Sequence, residues 1–396
     1  MMGYGGAISI NKRRNLSNFI YFLTLLTLWL LRHTIVENKC TNMSRLLMIL
    51  NVLLSGAVLL ALKTKSLILF FVFFETSVIP IALIIFLYGY QPEKLQSTLF
   101  LILYTIFGGL PLLIVILYGS YSITTRATLS LPMTLGFIIK TPIYLIHTWL
   151  PKAHVEAPVG GSIVLAGVLL KLGTYGLILF MPLIKTNTLT VLYFSLSLIG
   201  SAVAALICLR QGDLKVLIAY SSVVHMGVVS LGLIRGTEMG YTCALMIVLA
   251  HGICSPFLFA FSYWLYGASH SRLIINNMFS FPIMAGLMMS LVSLNISIPP
   301  RLRLWSEVLI TMATLYIMEW VFPALIAIFF LGLLYNLYIY TSCIHAKISK
   351  TPKNPSTLNI ITCLQVCTVG FLSFFCLDNF HVYWVIISLI TSSIDA

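Results

Sequence analysis

The chain has 396 residues, of which 60% are hydrophobic and only 8% charged, where a soluble domain is roughly a quarter charged. A mean hydropathy of +1.03 excludes a soluble core-and-surface solution, so the solvent for this chain is lipid. The formal charge of +13 comes from Lys and Arg scattered between apolar runs, where they sit among headgroups, and this excludes a nucleic-acid partner.

A helix needs about 20 apolar residues to cross the hydrocarbon core, and lipid leaves no partner for unpaired backbone, so each apolar run must be helix. The first run, 16–32, follows Lys12, Arg13 and Arg14 in the manner of a signal peptide. It ends in Arg32, His33 and Glu37 with no small-residue cleavage site, so a retained helix is expected. Further runs lie at 45–62, 66–89, 97–118, 131–150, 160–183, 188–209, 214–234, 240–266, 279–318, 320–343, 357–376 and 380–394. The expected fold is all-α: a polytopic membrane protein of about 12–13 transmembrane helices, one domain over 1–396 with short loops. The spread of Lys and Arg between alternate loops is too even to fix orientation.

Two runs carry interruptions. The 279–318 run is too long for one plain span and is expected to break at Pro299 and Pro300, with Arg301 and Arg303 following at once. The 131–150 run holds Pro142 and is expected to stop at Pro151. A break inside a membrane is tolerated only where protein or water covers the freed carbonyls.

Other motifs are weak. The eight cysteines show no ligand pattern; Cys363 and Cys367 form a CxxxC inside an apolar run, unlike the tight thiolate clusters of zinc or iron–sulfur sites. Any redox centre is therefore expected on another polypeptide. No phosphate-binding GxxxxGK[ST] or GxGxxG is present. Gly108-Gly109, Gly160-Gly161 and Gly173 with Gly176 fit close helix packing. Asp213 is expected to cap a helix and Lys215 to snorkel.

The charges that remain are in the wrong place for a passive membrane protein. Glu75, Lys140, Lys171, His225, His251 and Glu307 each fall within a hydrophobic segment. A charge at the bilayer centre costs about 3 kcal/mol on insertion scales. Burial moves lysines and carboxyls toward neutrality, where a group can load and release a proton, and histidine already titrates there. Lys140, His147 and His154 follow one another at intervals of seven residues, which on a continuous helix puts Lys140 and His147 on one face. Mixed acid and base types suit a proton relay. The structural alternatives are interhelical hydrogen bonds for each histidine and a static Glu75–Lys140 pair.

The stretch KTPIYLIHTWLPKAHVEAPVGGSIVLAGVLLKLGTYG, from Lys140 to Gly176, resembles the signature region of the chain 4 family of NADH–ubiquinone oxidoreductase, respiratory complex I. So do CLRQGDLKVLIAYSSVVHMG from Cys208, ALMIVLAHGICSPFLFA around His251, FETSVIPIALIIF and the IPP…E pattern ending at Glu307; the likeness spans roughly 70–340. The resemblance implies an antiporter-like fold with inverted repeats, roughly 45–183 and 188–343, each with a broken helix, and C-terminal helices over 357–394. It implies a proton-translocating membrane-arm subunit that couples NADH oxidation and quinone reduction to pumping. The family's relay then falls on Glu75, Lys140, Lys171, His225, His251 and Glu307, with His147 and His154 in support. NADH, FMN, iron–sulfur clusters and ubiquinone would sit on other subunits, with no cofactor on this chain. The implied partners are other membrane-arm subunits, neighbouring antiporter-like subunits among them, and phospholipids.

Lys152 in PKAHVEAP resembles the mitochondrial rather than the bacterial form, which implies a multi-pass protein of the mitochondrial inner membrane. The departures are an N-terminal part about two helices short, Trp305-Ser306 where Leu-Gly is more familiar, and a last run after Asp378 without counterpart. The alternatives are a stand-alone cation/proton antiporter and a structural membrane subunit with static pairs.

Overall fold

A computed structural model describes residues 45–118, 130–180, 188–234, 236–269, 271–274, 282–298, 302–315 and 321–345, and parts of 16–28. Pro299, Pro300, Arg301, Cys363, Cys367 and the runs at 357–376 and 380–394 lie outside the described residues. So do the basic N-terminal cluster and Arg32, His33 and Glu37.

The described residues form helices α1 (Phe19–Leu28), α2 (Arg45–Lys63), α3 (Leu67–Thr76), α4 (Val78–Tyr88), α5 (Lys94–Tyr118), α6 (Ser130–Lys140) and α7 (Trp149–Glu156). They continue through α8 (Val159–Val164), a π-helical turn (Leu165–Leu169), α9 (Leu170–Phe180), α10 (Thr188–Leu209), α11 (Leu214–Ile234) and α12 (Glu238–Ser269). The last are α13 (Pro282–Asn295), α14 (Leu302–Leu315) and α15 (Val321–His345). Counting α3–α4 and α8–α9 as single spans, eight helices among the described residues are long and apolar enough to cross a membrane.

Burial sorts these spans. In α8–α9, α11 and α12, 89% of the most apolar window is buried inside the protein; in α5 and α15 the share is 33% and in α10 it is 39%. The first group is the interior of the bundle. The second turns apolar faces outward, with Phe107, Ile199 and Phe330 among the exposed side chains, as a lipid-facing helix requires. The interior helices are the ones that carry Lys171, His225 and His251.

Three interruptions shape the interior. The 66–89 run, expected as one span, is interrupted at Ser77 between α3 and α4, three residues before Pro80. The 160–183 run contains the π turn, a local widening that frees carbonyls from the usual ladder. The 131–150 run stops being helical at Lys140 and resumes only at Trp149. Pro142 has no N–H and collides with the preceding turn, so the break falls there and not at Pro151. Pro151 lies in the first turn of α7, where a proline is tolerated.

The freed carbonyls are covered. Trp149 Nε1 donates to the Ile139 carbonyl at 3.1 Å, and the Thr141 hydroxyl donates to that of Ile138 at 3.4 Å. Leu145, inside the break, is held at φ 81°, a left-handed conformation that costs a non-glycine residue about 1–2 kcal/mol.

The 279–318 run likewise divides into α13 and α14, with residues 296–298 non-helical between them. Across the bundle, the segment 271–274 folds over the start of α11: Leu214 N donates to the Arg272 carbonyl at 3.1 Å, and Ile274 N to that of Gly212 at 2.9 Å.

Candidate proton-handling site

Glu75 and Lys140 meet where two helices break. Lys140 closes α6 and Glu75 lies at the end of α3. The ammonium is 3.6 Å from Glu75 Oε1, donates to the Phe74 carbonyl at 2.6 Å and lies 3.1 Å from the centre of the Phe74 ring. The interruption leaves the Phe74 carbonyl accessible, and Ser77 Oγ donates to it as well, at 2.7 Å. Glu75 Oε1 has no hydrogen bond among the described residues. The pair is therefore held by charge, not by a hydrogen bond. Glu75 keeps a quarter of its side chain exposed, whereas Lys140 is buried.

Two glycines make room for this pair. A Cβ on Gly109 would lie 3.1 Å from Glu75 Oε1, and one on Gly173 would lie 3.0 Å from Lys140 Cβ. Gly173 brings α9 against Lys140 only two residues from Lys171.

Lys171 is fully buried. Its ammonium donates to the Ala166 carbonyl, inside the π turn, and lies 2.8 Å from His251 Nδ1. The His251 and His225 rings meet edge to face with centroids 5.4 Å apart. His225 in turn is 2.9 Å from Asn295 Oδ1 and touches the Arg303 guanidinium. Arg303 Nε donates to Glu307 Oε1 at 3.1 Å, one helical turn along α14. The result is a contiguous buried string: Lys171, His251, His225, Arg303, Glu307. Six helices supply it and its supports, because Asn295 of α13 touches His225 and Asn336 of α15 accepts from Asn295 Nδ2 at 2.9 Å.

His147 and His154 stand apart from the string. With residues 141–148 outside any helix, Lys140 and His147 do not share a helix face, contrary to their spacing. His147 stacks on Tyr144 at 4.8 Å and meets the edge of Tyr220 at 5.7 Å. His154 stacks on Phe259 at 4.4 Å, and neither ring nitrogen has a hydrogen-bond partner among the described residues.

Beside them opens a vestibule of about 750 Å³ lined by Lys152, Glu156, Asp213, Tyr220 and Arg272, among others. Glu156 is buried at its floor, 3.9 Å from Arg272. Lys215 is buried as well, so the expected snorkelling does not occur: the 271–274 segment covers the start of α11.

Sequence reasoning leaves Arg303, Asn295, Asn336 and Tyr335 out of the site. The available signal is spacing: Arg303 precedes Glu307 by four residues on an amphipathic helix, which places the two side chains together.

Such an interior, ionisable and spread over interrupted helices, defines a polytopic membrane protein of the transporter kind. A family model described as NADH:quinone oxidoreductase/Mrp antiporter, TM, matches residues 64–334. NADH-ubiquinone oxidoreductase chain 4 of Ceratitis capitata is 38% identical over 352 residues, covering 83% of this chain and 78% of that one. Its counterpart in Artemia franciscana is 39% identical over 345 residues, covering 83% and 86%. Among solved structures, respiratory complex I from Thermus thermophilus with bound NADH contains a chain that superposes with a TM-score of 0.78 at 24% identity, over 91% of this chain and 79% of that one. The chain belongs to the NADH-ubiquinone oxidoreductase chain 4 family, within the NADH:quinone oxidoreductase/Mrp antiporter membrane proteins.

Proposed function

We propose that this chain is a proton-translocating membrane-arm subunit of an NADH:ubiquinone oxidoreductase in the mitochondrial inner membrane. The observation that carries the proposal is the buried string from Lys171 to Glu307, lying in the interior helices of a chain of this family. NADH, FMN, iron–sulfur clusters and ubiquinone belong to other subunits. Neighbouring membrane-arm subunits and phospholipids cover the apolar faces of α5, α10 and α15.

Residues 45–183 and 188–343 act as two inverted repeats. This reading is supported by an interrupted segment in each, α6–α7 and α13–α14, which carries Lys140 in one case and Arg303 with Glu307 in the other.

The steps follow from the charges. Quinone reduction elsewhere in the assembly alters the field at Glu75, the partly exposed member of its pair. The carboxylate withdraws, and Lys140 is left as a buried cation without a counter-charge, so it gives up its proton. Lys171 hands its own proton to His251 and takes that of Lys140 in its place across the close contact made by Gly173, and the charge moves on through His225 to Glu307. The vestibule at Glu156 is the aqueous mouth that reloads the row through His154 and Lys215.

A native gel of mild-detergent membranes, stained for NADH dehydrogenase activity, tests the assignment. This chain is expected in the active high-mass band by mass spectrometry. Migration alone or in an inactive complex would contradict it.

A further inference from the structure

The string contains one member that cannot pass a proton. A guanidinium has no acceptor site and does not deprotonate in proteins, yet Arg303 lies between His225 and Glu307. Its contacts with His225 are unusual: Nη1 is 2.7 Å from Nε2, and Nη2 is 2.9 Å from Nδ1. A neutral imidazole has one N–H and one lone pair. Both ring nitrogens lie within 3 Å of the guanidinium, so a second proton on either would meet a permanent positive charge at contact distance.

The other neighbours of His225 do not change this. Asn295 Oδ1 at 2.9 Å from Nε2 accepts from its N–H, Tyr335 OH is 3.4 Å from the same nitrogen, and His251 presents a ring edge at 5.4 Å. While Arg303 stays in place, His225 is barred from taking a proton, because a charged His225 would set two like charges less than 3 Å apart.

We propose that Arg303 is the gate of the His225-to-Glu307 step, a positioning residue that acts through His225. The proposal rests on the relay described above. In the closed state the guanidinium bridges the histidine and the carboxylate, since Nε already binds Glu307 Oε1 and Nη1 binds Asn295 Oδ1 at 2.9 Å. Transfer requires the guanidinium to leave His225 and rest on Glu307 alone. The proton then moves from His251 to the freed lone pair of His225. The return of Arg303 expels it toward the Glu307 carboxylate. A gate that closes behind each proton is what a pump needs to stop back-flow.

Two properties make arginine fit for this: a charge that is never lost, and a fork that spans two partners at once. Lysine has neither, because a buried ammonium can release its proton and its donors all sit on one nitrogen instead of a planar fork. The two roles open to Arg303 therefore predict different results. As a mere counter-ion for Glu307, Arg303→Lys is silent; as a gate, it leaks.

The test uses the purified complex in liposomes with trapped pyranine and no NADH, following the decay of an imposed pH gradient. Passive proton flux is expected to rise in the order wild type, Arg303→Lys, Arg303→Gln, with the last several-fold above wild type. In Arg303→Gln combined with Lys171→Met it should fall back to the wild-type rate, because the leak runs through the row. An Arg303→Lys complex no leakier than wild type overturns the gate, and so does a leak that survives Lys171→Met. If Arg303→Gln does not assemble, Arg303→Lys alone decides. The parent reading fails separately, if Lys171→Met by itself leaves NADH-driven pumping at the full ratio.

Discussion

Glu75→Gln isolates the charge of the first pair while keeping its shape. At 3.6 Å and an effective dielectric constant of about 20, the attraction between Glu75 and Lys140 is about 5 kcal/mol, trimmed by screening at the exposed quarter of the carboxylate. Moving one proton against about 150 mV requires about 3.5 kcal/mol. Opening the pair is thus of the right size to drive one transfer, and its permanent loss removes that drive. Lys140 keeps the Phe74 carbonyl and the Phe74 ring in the variant, so the fold around it should hold. The assay is the number of protons moved per NADH in sealed vesicles, from dye quenching set against NADH oxidation. The ratio is expected to fall in Glu75→Gln and in Lys140→Met alike, and to stay low in the double variant. If the pair were a static brace, removing both charges together would relieve the buried imbalance. A double variant that regains the wild-type ratio would therefore refute the switching role.

Three further outcomes follow from the same geometry. Gly109→Ala sets a methyl 3.1 Å from Glu75 Oε1, and is expected to give a partial copy of the Glu75→Gln defect in the same vesicle assay. Gly173→Val presses on Lys140 Cβ at 3.0 Å and on its backbone carbonyl carbon at 3.2 Å; less assembled complex on native gels is expected, because a packed core resists overfilling. Trp149→Phe strands the Ile139 carbonyl at the end of α6, at a cost of about 1–3 kcal/mol. The assembled complex should then lose activity at a lower temperature in a thermal-inactivation series.

What the sequence discloses here is the set of misplaced charges. Lys171, His225 and His251 stand out because nothing in an apolar run offsets them, and α11 has the very bounds that its hydropathy suggests, 214–234. What it conceals is how the runs are cut. Pro142 and Pro151 look alike as residues. Only packing tells that the first ends α6 and the second fits the first turn of α7, and the apparent Lys140–His147 face disappears with that break. Lys215 is ambiguous for a different reason. One residue into a span, a lysine either reaches headgroups or is covered, and a segment nearly sixty residues later covers it. Arg303 is hidden by its setting: beside the double proline it counts as part of the break within the membrane, and only α14 shows that it turns inward against His225. Long-range pairings of this sort are settled by tertiary contacts that no local pattern encodes.

The central claim is that protons cross this chain through its buried string, and Lys171 is the place to test it. Its ammonium is fully buried and joins the π turn to His251, so no solvent route replaces it. The decisive measurement is the proton-to-NADH ratio of a Lys171→Met complex that assembles and oxidises NADH. A ratio reduced by this subunit's share is the expected result, and an unchanged ratio would contradict the account.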